Sequence, residues 1–317
     1  MRFFLSVLLS LSCFAAYAWP TKPVRIVVAY PPGGGIDVLA RQLADKLSPA
    51  WGQPVVVENK PGANTIVATD AVAKSAADGH TVLMTTDATF SINPHLYARL
   101  PYDAQRDFTP VTMLVLLQQL LVAHPAVPFN DLKGLIETAK AKPGSINYAS
   151  YGSGSQPHLA GEMLKNKAGI DLVHVPYKGI SLAVPAVMAG EVQLTFAGIA
   201  TSMPQLKAGR IKALAIGGSA RSPLLPQVPT FSELGYPEVE THAWFGLFLP
   251  AGSPKEAVAR IYQDSRKILD ESDFRQKQLV EKGYEVVGSS PDDFVNYLKR
   301  DSESRARAVR ISGAKAE

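Results

Sequence analysis

From Val24 onward the chain alternates between two apolar periods, and this alternation constrains the fold more than any other feature. "VRIVVAY" is a β-branched run of the buried-strand kind, and Leu39, Leu43 and Leu47 then repeat at helical spacing. The unit recurs as the strand "PVVVEN", the helix "NTIVATDAVAKSAADG" ending at Gly79, and the strand "HTVLMTT". Strands that alternate with helices pair in parallel and carry helices on both faces of their sheet.

A second series follows. "LLVAHP" reads as a strand, and "NDLKGLIETAKAKPG" reads as a helix with Asn130 as its N-cap and Pro143-Gly144 as its stop. "INYAS" leads through "YGSGS" into the helix "QPHLAGEMLKNKAG". "DLVHVPYKG" leads into "SLAVPAVMAG", "VQLTFAG" into "TSMPQLKAG", and "IKALAIGG" closes the series. The proline-rich "SPLLPQVPTFSELGYP" is an irregular return to the apolar strand "HAWFGLFLP", beyond which two helices, a strand and a last helix are expected.

These patterns predict an α/β fold of two doubly wound domains around a cleft. Domain 1 takes residues 19–120 and 243–317, and domain 2 takes residues 121–242. The two crossings are expected near Leu116–Leu121 and His242–Phe245. Ligands bind between domains and outside the carboxyl ends of strands, and both rules select the same loops.

Residues 1–18 are expected to be removed. Arg2, the apolar "FFLSVLLSLSCFAA" and the small-x-small Ala16-Tyr17-Ala18 form the pattern of a secretory signal peptide, cleaved before Trp19. The apolar run is shorter than the roughly 20 residues that a spanning helix needs. Cleavage would also remove Cys13, the only cysteine, and with it any disulfide, thiol nucleophile or cysteine metal ligand. The net charge of +4 is scattered, and acids interleave the basic "KRDSESRARAVR". That is a solvated helix face, not the clustered stripe of a nucleic-acid surface.

Four loops share one design, in which a strand passes through Gly, Ser or Thr into a helix: "YPPGGGID", "TTDATFS", "SYGSGSQ" and "YKGIS". Small residues let a ligand approach the backbone, and helix N-termini offer unpaired N–H groups with partial positive charge. Such loops bind anions, and Lys178 is the one cation within them. A dinucleotide fingerprint is a poor fit, because Gly33 and Gly35 are followed by Val38 where the third glycine belongs. No phosphate-loop motif occurs, the six histidines have no metal-ligand spacing, and "GSGSQPH" lacks the G-x-S-x-G elbow. Ser155 reads as a helix N-cap. Asp37, in a first helical turn four residues before Arg41, reads as a helix-end stabiliser worth roughly a few tenths of a kcal/mol. Asp37→Asn is therefore expected to leave affinity almost unchanged.

The string "VRIVVAYPPGGGIDVLARQLADKLSPAWGQPVVVENKPGA" resembles the Bug family of solute receptors, the binding components of tripartite tricarboxylate transporters. The resemblance continues through "NPHLYARLPYDAQRDFTPV", "AKPGSINYASYGSGSQPHLAGEML", "HVPYKG" and "RSPLLPQVPTFSELG", and covers essentially all of residues 19–317. It implies a Venus-flytrap fold of the type II-like periplasmic binding proteins, a periplasmic monomer, no cofactor and no catalysis. The implied partners are a small organic carboxylate and the membrane permease of the transporter. An exported α/β enzyme acting on a small carboxylate or nucleotide is the alternative reading. Carried onto this chain, the family's ligand-holding positions are Tyr30, Pro32, Gly33, Gly34 and Gly35, then Thr86 and Asp87. The second domain adds Ser150, Gly152, Ser155, Lys178, Gly179 and Ala197. Many relatives have an aspartate where this chain has Ala197, so a ligand without an amino group is expected. "PGANT" stands for the usual "PGAGG" and His80 for the usual tyrosine, and both read as structural.

Overall fold

The computed structural model describes residues 19–218, 220–239 and 241–314, so the expected signal peptide lies outside the described residues. In chain order the first elements are β1 (Val24–Val28), α1 (Gly35–Trp51), β2 (Val55–Asn59), α2 (Ile66–Ala73) and β3 (Thr81–Thr85). A π-turn at Ala88–Ile92 leads into α3 (Asn93–Leu96), and then the long β4 (Phe108–Ala123). The second series is α4 (Leu132–Ala141), β5 (Asn147–Ser150), α5 (Gln156–Ala168), β6 (Val173–Pro176), α6 (Ile180–Ala189), β7 (Leu194–Gly198), α7 (Ile199–Lys207) and β8 (Lys212–Ile216). The chain returns through β9 (His242–Pro250), α8 (Lys255–Asp270), the single turn α9 (Ser272–Phe274), β10 (Tyr284–Val286) and α10 (Pro291–Ser312).

Two α/β lobes share one sheet, in the order β2-β1-β3-β9-β4-β7-β5-β6. The parallel pairs are the predicted ones: β1 with β2 and β3, and β5 with β6 and β7. The antiparallel pairings are not. The sequence pattern gives a strand only from Leu120, whereas β4 runs unbroken for 16 residues. Its first part pairs antiparallel with β9 and β10, and its last five residues pair antiparallel with β7 and β8. The crossing between lobes is thus made inside a strand, with Gln118 opposite His242 on β9.

Each lobe buries apolar side chains on both faces of its sheet, which is what the helix-strand alternation requires. In the first lobe α1 and α8 cover one face, with Leu39, Leu43, Leu47 and Ile261 in the core. On the other face α2, α10 and Phe90 pack around Trp244 and Phe248. In the second lobe α4 and α5 cover one face, and α6 and α7 the other. A fully buried leucine contributes about 1.5–3 kcal/mol, so the three leucines of α1 are enough to fix its orientation.

Two local expectations change. The helix pattern after β2 stops at Ala73, because Ser75 Oγ donates to the Val72 carbonyl and the chain turns before Gly79. The cap of α4 is Asp131, whose Oδ1 accepts from Gly134 N at 2.7 Å, and Asn130 Oδ1 instead accepts from Lys212 Nζ at 2.8 Å. Among the described residues no helix is long and apolar enough to cross a membrane.

Candidate functional site

A cavity of about 660 Å3 lies between the lobes, against the carboxyl ends of the parallel strands. Of the expected site residues, Tyr30, Pro32, Gly34, Gly35 and Thr86 line it from the first lobe. Gly152, Lys178, Gly179 and Ala197 line it from the second. Gly33, Asp87, Ser150 and Ser155 do not line it, and each has a different employment.

Gly33 supports the first loop from behind. Its N–H donates to Asp37 Oδ2 at 2.9 Å, so that amide is already used. Its φ of +85° is the left-handed conformation that glycine adopts without penalty. The first amide bonded within α1 is that of Val38, which donates to the Gly34 carbonyl, so the amides just before it are the helix's orphan donors. Across this loop Tyr30 Oη lies 2.8 Å from Thr86 Oγ1, joining the ends of β1 and β3.

Asp37 does more than stabilise a helix end. Its carboxylate is buried and takes Gly33 N, Arg41 Nε at 3.1 Å and Asn59 Nδ2 at 2.8 Å. Burial opposes its ionisation, but the bonds from Arg41, Gly33 and Asn59 outweigh this and hold it below the usual carboxylate range.

Ser150 and Ser155 shape the third loop instead of facing the cavity. Ser150 Oγ donates to the Gly152 carbonyl at 3.0 Å and lies 2.7 Å from His174 Nε2. Ser155 occupies the N-cap position of α5, but its hydroxyl donates to the Gly152 carbonyl at 2.6 Å instead of accepting from the helix. His174 stacks on His158 with centroids 3.8 Å apart, and burial and that neighbour push its pKa down to about 3. The hydroxyl–imidazole contact has the look of a nucleophile and its base, yet Ser150 is fully buried and off the cavity. No reacting atom can reach it.

Asp87 sits behind Thr86 in a buried charge cluster. Arg305 of α10 lies between two carboxylates, with Nη2 3.6 Å from Asp87 Oδ2 and Nε 3.5 Å from Asp301 Oδ1. Arg305 Nη2 also donates to the His242 carbonyl at 2.6 Å, and Trp244 Nε1 donates to Asp301 Oδ2 at 2.9 Å. One cation thus serves two buried acids. Burial pushes the Asp87 carboxyl up to about 6 against the pull of Arg305, and the charge of Asp301 adds to the push. Asp301 is also opposed by burial, but Arg305 and its hydrogen bonds hold it well below the usual range. Because the folded-state value of Asp87 exceeds its unfolded value, its contribution is complete below about pH 4 and is lost as pH rises through 6. Asp87→Asn abolishes that loss. The melting temperature of the variant relative to the parent should therefore climb between pH 5 and 7.5, corresponding to about 1 kcal/mol. A difference that is flat across that range would rule out a titrating Asp87.

Several cavity residues fall outside the expected set, and the turn "PGANT", which reads as structural in the sequence, is among them. The Pro61–Thr65 loop lines the cavity, and Ala63, Asn64 and Thr65 all have positive φ (44°, 47° and 76°). A side chain in that conformation costs about 1–2 kcal/mol per residue. The loop is held by Asn64 Nδ2 donating to Asn93 Oδ1 and Asn93 Nδ2 donating to the Asn64 carbonyl, both at 2.7 Å. The Pro-Gly pair that follows β2 was the available clue, since it repeats the strand-to-glycine-to-helix design of the other loops. Leu117, Gln118 and Gln119 of β4, Phe245 of β9, the start of α7, and Lys282 to Tyr284 complete the walls.

The lining has a clear chemical character. It holds Lys178 and Lys282, one from each lobe, several hydroxyls, and the aromatic and aliphatic walls of Tyr30, Leu117, Phe245 and Tyr284. No aspartate or glutamate is among the lining residues. Among the described residues no group of three or more histidine, cysteine, aspartate or glutamate side chains could hold a metal ion. The arrangement suits an anion whose body is in part apolar.

Known proteins resemble this chain over almost its whole length. Residues 39–313 match the tripartite tricarboxylate transporter family receptor TctC. Protein BugT of Bordetella pertussis is 34% identical over 306 residues, covering 95% of this chain and 92% of BugT. A UPF0065 protein from the tcbD-tcbE intergenic region of Pseudomonas sp. strain P51 is 35% identical, over 90% of this chain and 85% of its own length. Among solved structures, R. palustris Rpa4515 with adipate has a TM-score of 0.88 at 33% identity, covering 94% of this chain and 99% of that one. MatC from Rhodopseudomonas palustris with bound malate has a TM-score of 0.85 at 31% identity, over 92% and 100%. The periplasmic binding protein BugD has a TM-score of 0.86 at 31% identity, over 94% and 100%. The family match over residues 39–313, on this two-lobed fold, shows that the chain belongs to the Bug-type receptors of the tripartite tricarboxylate transporter family.

Proposed function

We propose that the protein is a periplasmic receptor that holds a small organic carboxylate in the cleft between its lobes and delivers it to the membrane permease of a tripartite tricarboxylate transporter. The observation that carries the reading is the cavity itself: it combines helix N-termini, hydroxyls and two lysines with no acidic side chain. Two relatives were solved with carboxylates, adipate and malate, and a third is a periplasmic binding protein. Residues 1–18 serve as the export signal, and the mature chain acts as a monomer without cofactor or catalysis. Residues 19–120 and 243–317 form one domain and residues 121–242 the other, and β4 and β9 form the hinge. Gly34, Gly35, Thr86, Gly152, Lys178 and Gly179 contact the ligand, and Ala197 leaves no partner for a ligand's amino group.

The test is a thermal-shift screen of purified protein against adipate, malate, succinate, benzoate and aspartate, followed by calorimetry. A bound acid at 100 times its Kd adds about 2.7 kcal/mol of stability. At least one plain acid should raise the melting temperature, and succinate should do so more than aspartate. Each acid recovered after incubation should be chemically unchanged. Product that accumulates in proportion to protein would establish the enzyme reading instead.

A further inference from the structure

One carbonyl and one amide of the first cleft loop are fixed by side chains that never touch the cavity. Asn59, at the end of β2, donates from Nδ2 both to the Tyr30 carbonyl at 3.0 Å and to Asp37 Oδ1 at 2.8 Å. Asp37 Oδ2 accepts from Gly33 N at 2.9 Å, and Arg41 Nη2 lies 2.9 Å from Asp37 Oδ1 and donates to Asn59 Oδ1 at 3.0 Å. The entry and exit of the Tyr30–Gly33 turn are therefore tied to one buried carboxylate. Asp37, Arg41 and Asn59 are absent from the cavity lining, while Tyr30, Pro31, Pro32, Gly34 and Gly35 all belong to it. Gly33, Asp37 and Arg41 follow one another at four-residue spacing, and Asn59 enters from the neighbouring strand.

We propose that Asp37 is a positioning residue for the ligand: held by Arg41 and Asn59, it fixes the Gly33 amide and thereby aims the next amides of the loop into the cleft. The proposal rests on the reading of the cleft as a carboxylate site. A backbone amide contributes to binding only if it points at the ligand when the ligand arrives, and ordering a loop on binding lowers affinity. A loop held from behind avoids that loss. The carboxylate is suited to the task because it accepts several donors at once and is ionised at neutral pH. Its own charge is matched by Arg41, so it does not repel the anion on the other side of the turn.

The experiment compares the full-length mature protein with Asp37→Ala, Asp37→Asn and Asn59→Ala. Binding of the plain acids adipate, malate, succinate and benzoate is followed by calorimetry, and exchange of the Gly33 amide by nitrogen-15 NMR on ligand-free protein. Asp37→Ala should speed Gly33 exchange at least tenfold and raise Kd about 30-fold, with one site per chain retained. Asp37→Asn keeps one oxygen that can accept from Gly33, and should recover most of the affinity. A purely structural role would lower the number of competent sites and leave Kd unchanged, and that result would overturn the proposal. So would a Gly33 amide that exchanges at the parent rate in Asp37→Ala. If the parent protein binds none of the four acids, the carboxylate reading fails, and the exchange measurement still decides whether Asp37 holds the loop.

Discussion

Replacing Arg305 by methionine should destabilise the protein by about 3–5 kcal/mol at neutral pH, because it leaves two buried carboxylates without their shared cation. The side chain is fully buried and lies within 3.6 Å of both Asp87 and Asp301. Methionine has a similar length and no polar atom to strand, so the cost comes from the acids left behind and not from a cavity. The loss should lower the melting temperature by roughly 5–15 °C. It should also grow with pH, since without the guanidinium Asp87 ionises only at greater expense. Adding Asp87→Asn to Arg305→Met removes one of the two unpaired charges, so the double variant should melt above the single one. Thermal unfolding of the parent, both single variants and the double variant measures the coupling. If Arg305→Met melts within 2 °C of the parent, the cluster is not the tie between α10 and β9 that its geometry implies.

This cluster also shows where sequence reading stops. The parallel units were legible because each is local: a β-branched run, a glycine-rich turn and leucines at helical spacing lie within 30 residues. Loops built on that unit were found, and Tyr30, Gly34, Gly35, Thr86, Gly152, Lys178 and Gly179 all reach the cavity. The crossing between the lobes was only partly legible. "HAWFGLFLP" was recognised as a strand, but β4 begins twelve residues before the recognised "LLVAHP". Val111 to Val115 are buried on both faces, so no alternation marks them as a strand. Antiparallel insertion of β9 between β3 and β4 depends on contacts 124 to 165 residues apart in sequence, which no local pattern encodes.

Side-chain roles were harder still, because partner and position had to be known together. The family resemblance puts Thr86 and Asp87 together in the cleft, but both lie beyond β3, and Asp87 already has helical backbone dihedrals at the start of the π-turn. Thr86 faces the cavity, and Asp87 faces Arg305, 218 positions further on. Asp37 presented an ordinary i,i+4 pattern with Arg41, and only the arrival of Asn59 on β2 makes it a clamp on the first loop. The Ala63–Thr65 turn inverts the usual inference from composition. Three residues with side chains adopt left-handed backbone there, and contacts to Asn93 and Thr89 from a distant turn hold them in it.

The first loop offers a prediction in which neighbouring glycines part company. Gly34 has φ −75° and ψ 162°, an extended conformation open to any residue. A Cβ built there meets nothing nearer than the Pro31 carbonyl oxygen at 3.8 Å. Gly34→Leu should therefore fold with the parent's melting temperature, and its side chain should project beside the orphan amides of α1, where the carboxylate is proposed to sit. Affinity should fall at least 100-fold, or about 2.7 kcal/mol. Gly33 is the converse case. It does not line the cavity, and a Cβ there has open space, but its φ of +85° strains any side chain. Gly33→Ala should lower stability by about 1 kcal/mol while affecting affinity much less than Gly34→Leu does. Calorimetry with the acid that binds best, together with thermal unfolding of both variants, separates the two effects. Parent-like binding by Gly34→Leu would mean that the ligand is held elsewhere in the cavity and that the amides of the first loop do not contact it.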